Sequence, residues 1–559
     1  MSTASPATAL PPDARAALDA VLELMRAGKS DGIAELSGLH EQHPDSTELI
    51  GHLAWAMAHA GRYEDSIALC RRYLELQPAN IEMRWRLADR LVNLGRWDEA
   101  EAAYRAVLAE APGNEDAAMG VRYVEFVRRR AQGRPRTSHR PERPTPTDRQ
   151  KENEALNRRE FDAGSLRLQS LPPSLYLEST TKCNFYCRTC VKGYGAYHAE
   201  DLREPILEKV RSEVLPTNTR ISITGFGEPT MAGNFDEILA LAIENGSTVH
   251  FVTNASLLNF ERIEHLTRCP VDIAISIDGA TKETFEEIRA GSNFDLVLEK
   301  LAMIRKLRDL HVSEFFSRFS FNFVALRRNI DELPDVVRLA HRFGIGHVHV
   351  ADYAPNENEF DEESLRHEPA RANAALDEAR RVAAELGVRL STPVPYEETA
   401  AKSSRAKRRP LFSAKDRFAQ KCNSPWREPY IHTDGRVSPC CASGQYLGNL
   451  NEQSFAQIWN GWRYRLLRWR VHSPIPRHEC RVCFVAWGIN GGNAANAMAK
   501  EGLLVRAWYA GEERFKRFAK RVLAILRRMR GGKAAPAPEP NFYRGRPLTE
   551  RNRPAEPGR

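Results

Sequence analysis

The chain of 559 residues lacks long apolar runs, and this absence excludes a protein anchored by transmembrane helices. Such a helix needs about 18 or more apolar residues in succession, and no segment approaches that length. The beginning of the chain contains neither the charged nor the apolar segment of a secretory signal. We therefore expect a cytoplasmic protein, and its 42% hydrophobic content can supply the cores of about three or four domains.

Most of the chain also lacks an excess of basic charge. Lys and Arg number 81 against 73 Asp and Glu, a net charge of +8. Residues 501–559 alone hold 15 basic and six acidic residues, so the remainder is close to neutral. A basic tail is predicted, whereas a general nucleic-acid-binding surface is not, and no nucleic-acid partner is expected.

Cysteine is scarce, with ten residues in the whole chain, but seven of the ten fall into two groups. In a long chain without a secretion signal, grouped cysteines favour metal or cluster binding over disulfides. The isolated Cys70 and Cys269 are predicted to be structural. Cys441 lies beside a grouped cysteine, and its role stays open at this point.

Proline recurs with a fixed period near the N terminus. The positions are 34 residues apart, at Pro44, Pro78 and Pro112. Gly61 matches Gly95 and Tyr63 matches Trp97 at the same offset. Residues 12–130 therefore resemble the tetratricopeptide family, whose repeat has this length. The resemblance implies an all-α solenoid with a concave surface for a protein or peptide; an oligomerisation or packing module is the alternative.

Within this solenoid, Cys70, Trp55, Trp85 and Trp97 are expected to be core residues. After it, residues 131–170 are predicted to be a linker. The first part, 131–147, combines proline and arginine with almost nothing apolar, which favours an extended chain.

From residue 171 the pattern changes to short β-rich runs that alternate with amphipathic helical stretches. The six runs are residues 174–180, 220–227, 248–254, 271–278, 318–326 and 347–353. This alternation predicts a parallel sheet with helices outside it. In barrels of this kind the chemistry gathers at the carboxyl ends of the strands.

Three cysteines follow the first predicted strand, in the loop TTKCNFYCRTC. Cys183, Cys187 and Cys190 have the spacing C-x3-C-x2-C. Three thiolates cannot complete a tetrahedral zinc site, but they can hold three irons of a 4Fe–4S cluster. The fourth iron would stay open to a small molecule.

These residues resemble the radical S-adenosylmethionine (SAM) superfamily, and the resemblance covers residues 171–360. It implies a partial (β/α)6 barrel in which the open iron binds SAM. Reductive cleavage of SAM would give methionine and a 5′-deoxyadenosyl radical that abstracts hydrogen from the substrate. Thr189 departs from the bulky residue that the family usually has before its third cysteine.

The resemblance also implies SAM-binding residues at further strand ends. They are Gly225, Gly227, Glu228 and Pro229 of the GFGEP segment, then Asn254, Ser276, Asp278 and Arg289. Glu228 would accept a hydrogen bond from the methionyl ammonium, and Arg289 would pair with the SAM carboxylate. The alternatives are loop caps for Asn254 and Ser276 and a surface ion pair for Arg289. No residue stands out as the catalytic proton acceptor. Asp352 and Tyr353 end the sixth strand, and they either face the cavity or have a structural role.

The second cysteine group has the spacing C-x17-C-x39-C-x2-C and includes a predicted hairpin with Asp434-Gly435 at its turn. Its members are Cys422, Cys440, Cys480 and Cys483. Residues 421–490 resemble the SPASM and twitch extensions of radical SAM enzymes, a small α+β domain. The resemblance implies one auxiliary 4Fe–4S cluster; spacing alone leaves zinc open. Cys441 either replaces Cys440 as a ligand or is spare.

Residues 361–420 are predicted to be a connecting helix and a basic loop. Residues 500–531 contain a basic amphipathic helix, and residues 532–559 are expected to be disordered. Such a helix lies on an anionic membrane, grips an acidic partner, or docks on its own protein. Peripheral membrane association is therefore one alternative for this protein.

The sequence thus predicts a radical SAM enzyme that modifies a peptide or protein, because a peptide-binding solenoid precedes a radical-generating core. A radical dehydrogenase acting on an amino sugar or other carbohydrate is the first alternative, and a non-catalytic iron–sulfur scaffold or electron carrier is the second. The expected cofactors are SAM, its three-cysteine 4Fe–4S cluster and the auxiliary cluster. The expected partners are the substrate, a protein bound by the solenoid, and a reductant such as flavodoxin or ferredoxin.

Overall fold

A computed structural model describes ten segments of the chain. They are residues 10–26, 32–130, 145–190, 199–311, 317–353, 361–396, 422–441, 443–473, 480 and 483. The described residues fall into two compact units. The first unit lies within Met1–Glu142, Leu258–Pro270 and Leu298–Ser317, and the second unit contains the rest. None of the described helices combines the length and the apolar character needed to cross a bilayer.

The repeat region of the first unit consists of seven helices. They are α1 (Pro12–Arg26), α2 (Ile33–Gln42), α3 (Thr47–His59), α4 (Tyr63–Leu76), α5 (Ile81–Asn93), α6 (Trp97–Glu110) and α7 (Glu115–Arg130). Ser46 and Asn80 cap α3 and α5, and Asn114 accepts a hydrogen bond from the Ala117 amide at 2.8 Å. These caps are 34 residues apart, so the helix starts follow the same period as the prolines. The predicted all-α solenoid is confirmed.

The expectation for the tryptophans of this unit was only partly right. Cys70 and Trp85 are buried, as predicted. Trp55 is 42% exposed, so the prediction that it belongs to the core was wrong. It lines a groove of about 550 Å³ between the repeat helices, together with Tyr73 and Met83.

The second unit begins with α8 (Asp148–Asp162) and carries a ten-stranded sheet. The strands in chain order are β1 (Ser174–Leu177), β2 (Arg220–Ile223), β3 (Thr248–Thr253), β4 (Val271–Ser276), β5 (Arg318–Ala325), β6 (His347–Asp352), β7 (Arg389–Ser391), β8 (Tyr430–Ile431), β9 (Arg436–Ser438) and β10 (Gly448–Asn449). The order across the sheet is β10-β9-β8-β1-β2-β3-β4-β5-β6-β7. Strands β1 to β7 are parallel. The predicted six-strand α/β core is confirmed, and β7 is an additional strand.

Further helices lie between these strands along the chain. They are α9 (Glu204–Glu213), α10 (Phe235–Glu244), α11 (Phe260–Thr267), α12 (Lys282–Ile288), α13 (Phe294–Leu310), α14 (Leu333–Arg342) and α15 (Pro369–Leu386). The helix-facing side of the sheet is apolar: Phe251 of β3 is fully buried and meets Phe235 of α10 edge to face, with ring centroids 5.2 Å apart. Alternate residues of each strand therefore face away from these helices.

The predicted hairpin after the barrel is present and joins the sheet. Strand β8 runs parallel to β1, and β9 returns antiparallel to β8. Gly435 at the turn has a φ of 86°, which glycine adopts without strain. The helices of this part are α16 (Ser424–Arg427), α17 (Phe455–Trp459) and α18 (Trp462–Val471). The small α+β extension is thus continuous with the barrel sheet.

The segment predicted as a linker over residues 131–170 differs from that prediction in its second half. Helix α8 lies there, with a Thr147 capping box at its start. The buried Asn157 side chain donates to the Trp426 carbonyl at 2.7 Å, and the Trp426 indole donates to the Ser165 carbonyl at 2.8 Å. Residues 148–170 therefore belong to the folded second unit and contact the hairpin segment directly.

Three predicted segments lie outside the described residues. They are the basic loop within 361–420, the amphipathic helix within 500–531 and the tail of 532–559. The described part of 361–420 contains α15, which matches the predicted connecting helix, and β7.

Candidate active site

The glycine-rich segment packs backbone to backbone on the start of the cysteine loop. The Glu228 amide donates to the Lys182 carbonyl at 2.7 Å. A Cβ atom on Gly227 would lie 2.3 Å from the Thr180 carbonyl oxygen and 2.6 Å from that of Lys182. Only glycine permits this approach, so the two loops that follow β1 and β2 form one cradle.

Glu228 lies inside this cradle and is almost fully buried. Its Oε1 accepts from the Thr253 and Thr230 hydroxyls at 2.6 and 2.7 Å, and its Oε2 accepts from the Asn254 amide at 2.7 Å. Burial raises the pKa of Glu228, although these hydrogen bonds oppose the rise. A carboxylate oxygen can accept two hydrogen bonds, so Oε2 can take a further donor such as an ammonium.

Asn254 connects the end of β3 to the cysteine loop. Its Nδ2 donates to Asn184 Oδ1 at 2.9 Å, and its Oδ1 accepts from the Ser256 amide and hydroxyl. The side chain therefore makes the turn contacts of a loop cap and also holds the residue next to Cys183. Ser276 and Pro229 are buried at the same carboxyl edge of the sheet.

Arg289 and Asp278 form a buried ion pair at this edge. Arg289 Nη2 lies 2.7 Å from Asp278 Oδ2, and Asp278 Oδ1 accepts from the Val324 amide at 2.8 Å. Burial favours the neutral guanidine, but Asp278 and the Cys187 sulfur outweigh it and raise the pKa of Arg289. Arg289 Nε is buried without a partner in the described part of the chain. The pair is thus buried, and the Nε–H of the guanidinium stays available for a further acceptor.

The three loop cysteines are partly buried and lie beside this ion pair. The Cys190 amide donates to the Cys187 carbonyl at 3.2 Å, and Arg289 Nη1 lies 4.0 Å from Cys187 Sγ. Burial raises the pKa of the Cys187 thiol to about 11, while Arg289 lowers it. Across the described residues, no three His, Cys, Asp or Glu side chains converge on one metal ion. A 4Fe–4S cluster does not require this, because each thiolate binds a separate iron.

The residues at this edge fit a SAM-binding cluster site. The thiol loop, the glycine cradle and the partnerless Arg289 Nε offer three sulfur ligands, a close backbone approach and a donor for a carboxylate. The individual assignments of the cysteines, Gly225, Gly227, Glu228, Pro229, Asn254, Ser276, Asp278 and Arg289 stay predictions.

Glu178 is a site residue that the sequence analysis missed. It follows β1 and is 2% exposed. It accepts hydrogen bonds from the Phe226 amide at 3.2 Å and the Tyr430 hydroxyl at 3.1 Å, and His432 Nδ1 lies 3.5 Å away. A Cβ atom on Gly225 would lie 2.5 Å from Glu178 Cγ. The only sequence signal was one acidic residue at the end of a strand, which does not reveal a partner more than 250 residues away.

The two residues that end β6 do not form a free acid–base pair. The Tyr396 hydroxyl donates to Asp352. Tyr353 packs in a core cluster with Ile288 and Leu326. Of the two roles left open by the sequence, these contacts favour the structural one.

The second cysteine group lies at the opposite end of the sheet. Cys422 precedes β8 and Cys440 follows β9, so both lie at the amino end of β1, which β8 parallels. Burial raises the pKa of the Cys441 thiol, and the Tyr176 hydroxyl of β1 lies near enough to lower it. Cys483 is close enough to raise the pKa of Cys422, after the larger effect of burial. The two cysteine groups therefore lie at opposite ends of one sheet.

Three family profiles match the chain. The Radical SAM superfamily matches residues 177–340. Residues 177–340 of the chain form a radical SAM domain. In this enzyme a tetratricopeptide repeat matches residues 58–121, and the SPASM iron–sulfur cluster-binding domain matches residues 422–484. The radical SAM enzyme therefore binds SAM with a 4Fe–4S cluster and carries an auxiliary cluster.

Among curated relatives of this radical SAM enzyme, AdoMet-dependent heme synthase of Methanosarcina barkeri is 26% identical over 314 residues, 54% of this chain and 86% of the relative. Mycofactocin maturase MftC of Mycobacterium tuberculosis is 31% identical over 179 residues, 31% of this chain and 43% of the relative. PqqA peptide cyclase of Granulibacter bethesdensis is 23% identical over 334 residues, 57% of this chain and 82% of the relative. The chain thus spans less than half the length of the mycofactocin maturase.

Proposed function

We propose that this radical SAM enzyme modifies a peptide held between its two cysteine groups. The observation that carries the proposal is the placement of these groups at opposite ends of one sheet, joined by the β1–β8 pairing. A substrate on the concave side of the sheet would have the SAM site at one end and the auxiliary site at the other. The peptide is supported by the tetratricopeptide match and by the peptide cyclase among the relatives.

At the carboxyl end, Cys183, Cys187 and Cys190 would hold the cluster. When bound, the cluster and SAM supply a 5′-deoxyadenosyl radical that takes a hydrogen atom from the substrate. Glu228 would orient the methionyl ammonium through Oε2, and Arg289 would meet the carboxylate through its remaining N–H. Asp278 fixes the guanidinium at 2.7 Å, so the arginine is oriented before any ligand arrives.

At the amino end, Cys422, Cys480 and Cys483 with Cys440 or Cys441 would hold the auxiliary cluster. Four protein ligands would close this cluster, which suits electron transfer better than substrate binding. Tyr176 of β1 lies near these cysteines, since Cys441 and Cys440 raise its pKa after the larger effect of burial.

A small-molecule substrate is the second candidate function. It is supported by the heme synthase relative, whose match covers 54% of this chain and 86% of that protein. Flavodoxin or ferredoxin as reductant is a proposal, and so is a contact of the basic helix with an anionic membrane. The described residues lend support to neither.

Iron analysis tests the cluster assignments. Anaerobically reconstituted enzyme should contain about eight irons, and the variant with Cys183, Cys187 and Cys190 changed to Ala should retain about four. Cys269→Ala is the matched control, because this cysteine lies outside both groups and should keep all the iron. Unchanged iron in the triple variant would refute the assignment.

The substrate class is tested with reduced wild-type enzyme and SAM. Release of 5′-deoxyadenosine establishes the radical step. We expect a short peptide encoded beside the gene to raise this release and to change in mass. A mass change in a small molecule, with no effect on any such peptide, would favour the second candidate.

A further inference from the structure

The side of the sheet that faces away from the helices carries polar side chains on five strands. The register places Ser222 of β2 beside His250 of β3, and His250 beside Asp272 of β4. At the other edge, His347 and His349 of β6 lie beside Arg389 and Ser391 of β7. Barrel interiors are ordinarily filled with packed apolar side chains, so a polar inner face needs a reason.

The groups that shift the pKa values of these histidines, after the larger effect of burial, indicate that the side chains face one concave space. His349 lowers the pKa of His250, although two strands, β4 and β5, lie between their own strands in the sheet. His349 also lowers the pKa of its strand neighbour His347. A flat sheet would hold β3 and β6 too far apart for this effect, at about 4.8 Å per strand. The sheet therefore curves and brings the histidines toward one another.

Two arginines accompany the histidines. Arg220 begins β2 and lowers the pKa of His250, and Arg389 begins β7 and lowers the pKa of His347; in both cases burial of the ring is the larger cause. We call Arg220, His250, His347, His349 and Arg389 the polar wall. Arg220, His349 and Arg389 are exposed, which leaves the wall open to a ligand.

Among the described residues, two acids lie near the polar wall, Asp272 and Glu428, and neither forms an ion pair with its arginines. Asp272 is the acidic residue in the same register, and both of its oxygens pair with Arg318, at 2.7 and 2.9 Å. Within the described ranges, neither Arg220 nor Arg389 has an ion-pair partner. His250 Nδ1 and His347 Nε2 lie 3.1 and 2.9 Å from the hydroxyls of Ser222 and Ser391, which orients both rings.

We propose that the polar wall binds a carboxylate on the substrate, namely an Asp or Glu side chain of the peptide to be modified. Guanidinium groups pair with carboxylates through two parallel hydrogen bonds, and neutral imidazoles add oriented N–H donors. The wall lies on the inner face toward the amino end of the sheet, the end at which the second cysteine group lies, and would meet the part of the proposed substrate nearest that group. The inference rests on the proposed function and names the chemistry of its substrate.

The test uses full-length enzyme loaded with both clusters and SAM. The probes are N-acetyl-glutamate amide and N-acetyl-glutamine amide, which differ only in the side-chain charge. By calorimetric titration, the glutamate probe should bind about tenfold or more tightly than the glutamine probe. The double variant Arg220→Gln/Arg389→Gln should lose that preference while keeping its iron content.

The matched control removes the same charge elsewhere, with Arg338→Gln/Arg381→Gln on the exposed faces of α14 and α15. It should keep the preference. Equal affinity for the two probes, no binding of either, or an equal loss in the control would each overturn the inference. Release of 5′-deoxyadenosine by wild-type enzyme is measured separately. If it occurs while the probe preference is absent, only the inference fails; if it is absent while the preference holds, the proposed function fails.

Discussion

At the scale of single residues, the edge proposed to bind SAM is organised by contacts among the protein's own side chains. Glu228 is held by Thr253, Thr230 and the Asn254 amide, and Arg289 is held by Asp278. Each keeps one hydrogen-bonding position. A buried polar group with an unused position is costly unless a partner fills it. The orientations of these two side chains are therefore fixed. A zwitterion would satisfy both, with its ammonium at Glu228 and its carboxylate at Arg289.

At the residue scale, we predict that Gly227 cannot be replaced by alanine without loss of stability and of activity. In Gly227→Ala the new methyl would meet the Thr180 and Lys182 carbonyl oxygens, which belong to backbone and cannot move aside cheaply. We expect a loss of about 1–3 kcal/mol in the free energy of unfolding. Release of 5′-deoxyadenosine should fall by at least tenfold, because the cradle that would receive SAM is displaced.

Gly346→Ala is the control for this prediction, since a Cβ there would have nothing within 4 Å. Denaturant unfolding and chromatography of the nucleoside product give the two measurements. Similar stability and product release in the two variants would show that the close approach at Gly227 has no importance.

At the scale of secondary-structure elements, the β8–β9 hairpin decides where the auxiliary site lies. Its first strand extends the barrel sheet beside β1, with the Tyr176 amide donating to the Pro429 carbonyl at 2.9 Å. Its turn contains Gly435, whose positive φ is shared with Gly387 at the end of α15. The two glycines differ in their surroundings. Comparing their alanine variants therefore separates the stability cost of the left-handed conformation from the cost of close packing.

Gly387→Ala should cost about 1 kcal/mol, the ordinary penalty of the left-handed conformation. Gly435→Ala should cost about 2–3 kcal/mol, because its Cβ would also lie 2.7 Å from the buried Ile206 and 2.9 Å from Asn451. Urea midpoints of the two variants measure the difference. Equal midpoints would mean that Ile206 and Asn451 shift freely, and that the turn is not packed on α9 as tightly as its distances indicate.

The sequence predicted elements well where a hydrophobic pattern was long enough. The six barrel strands were found because β-rich runs alternate with amphipathic stretches. Strand β7 was missed because three residues, of which only Leu390 is apolar, carry no such pattern. Helix α8 was taken as linker because its buried residues are polar: Gln150, Asn157 and Glu160. Gln150 donates to the Asn218 and Asn245 carbonyls and Asn157 to the Trp426 carbonyl, partners distant in sequence that a local pattern cannot show.

The site shows the same limit. The spacing of the cysteines was enough to predict the two groups, because cluster ligands follow short motifs along the chain. Glu178 and the polar wall depend on the register between strands that are far apart in the chain, and a local sequence motif does not show that register. Trp55 was assigned to the core from its repeat position, but the groove it lines exists only once the helices are stacked.

At the scale of the whole molecule, the repeats are not an independent appendage. Helix α11 and residues 298–310 of α13 belong to the same compact unit as the repeats, although both helices occur in the chain between barrel strands. Tyr123 of α7 lies 2.9 Å from His311 Nε2 and packs edge to face on Phe260. Deleting the repeats would therefore expose residues that follow β3 and β4 in the chain, so deletion is a poor test of their function.

The centre of this unit is a fully buried ion pair between Lys306 of α13 and Asp89 of α5. The Lys306 ammonium lies 5.0 Å from the Trp85 ring and 4.5 Å from the Tyr104 ring, and the Tyr104 hydroxyl donates to Asp89. Burial raises the pKa of Asp89, while Lys306 opposes the rise. Each charge depends on the other, because a lone charge in this position would have no water to solvate it.

Lys306→Met should therefore destabilise the protein by about 3–5 kcal/mol, since it leaves the Asp89 carboxylate buried and unpaired. Adding Asp89→Asn should restore a large part of the loss, because the double variant has no charge at these two buried positions and Tyr104 keeps an acceptor. Arg122→Met is the control: it breaks the exposed Arg122–Glu299 pair of the same unit, 2.8 Å long, and should change little. Urea unfolding of the four proteins measures the coupling. A Lys306→Met midpoint equal to that of Arg122→Met, or a double variant weaker than the single one, would show that the repeats fold without this pair and that the solenoid could be removed cleanly after all.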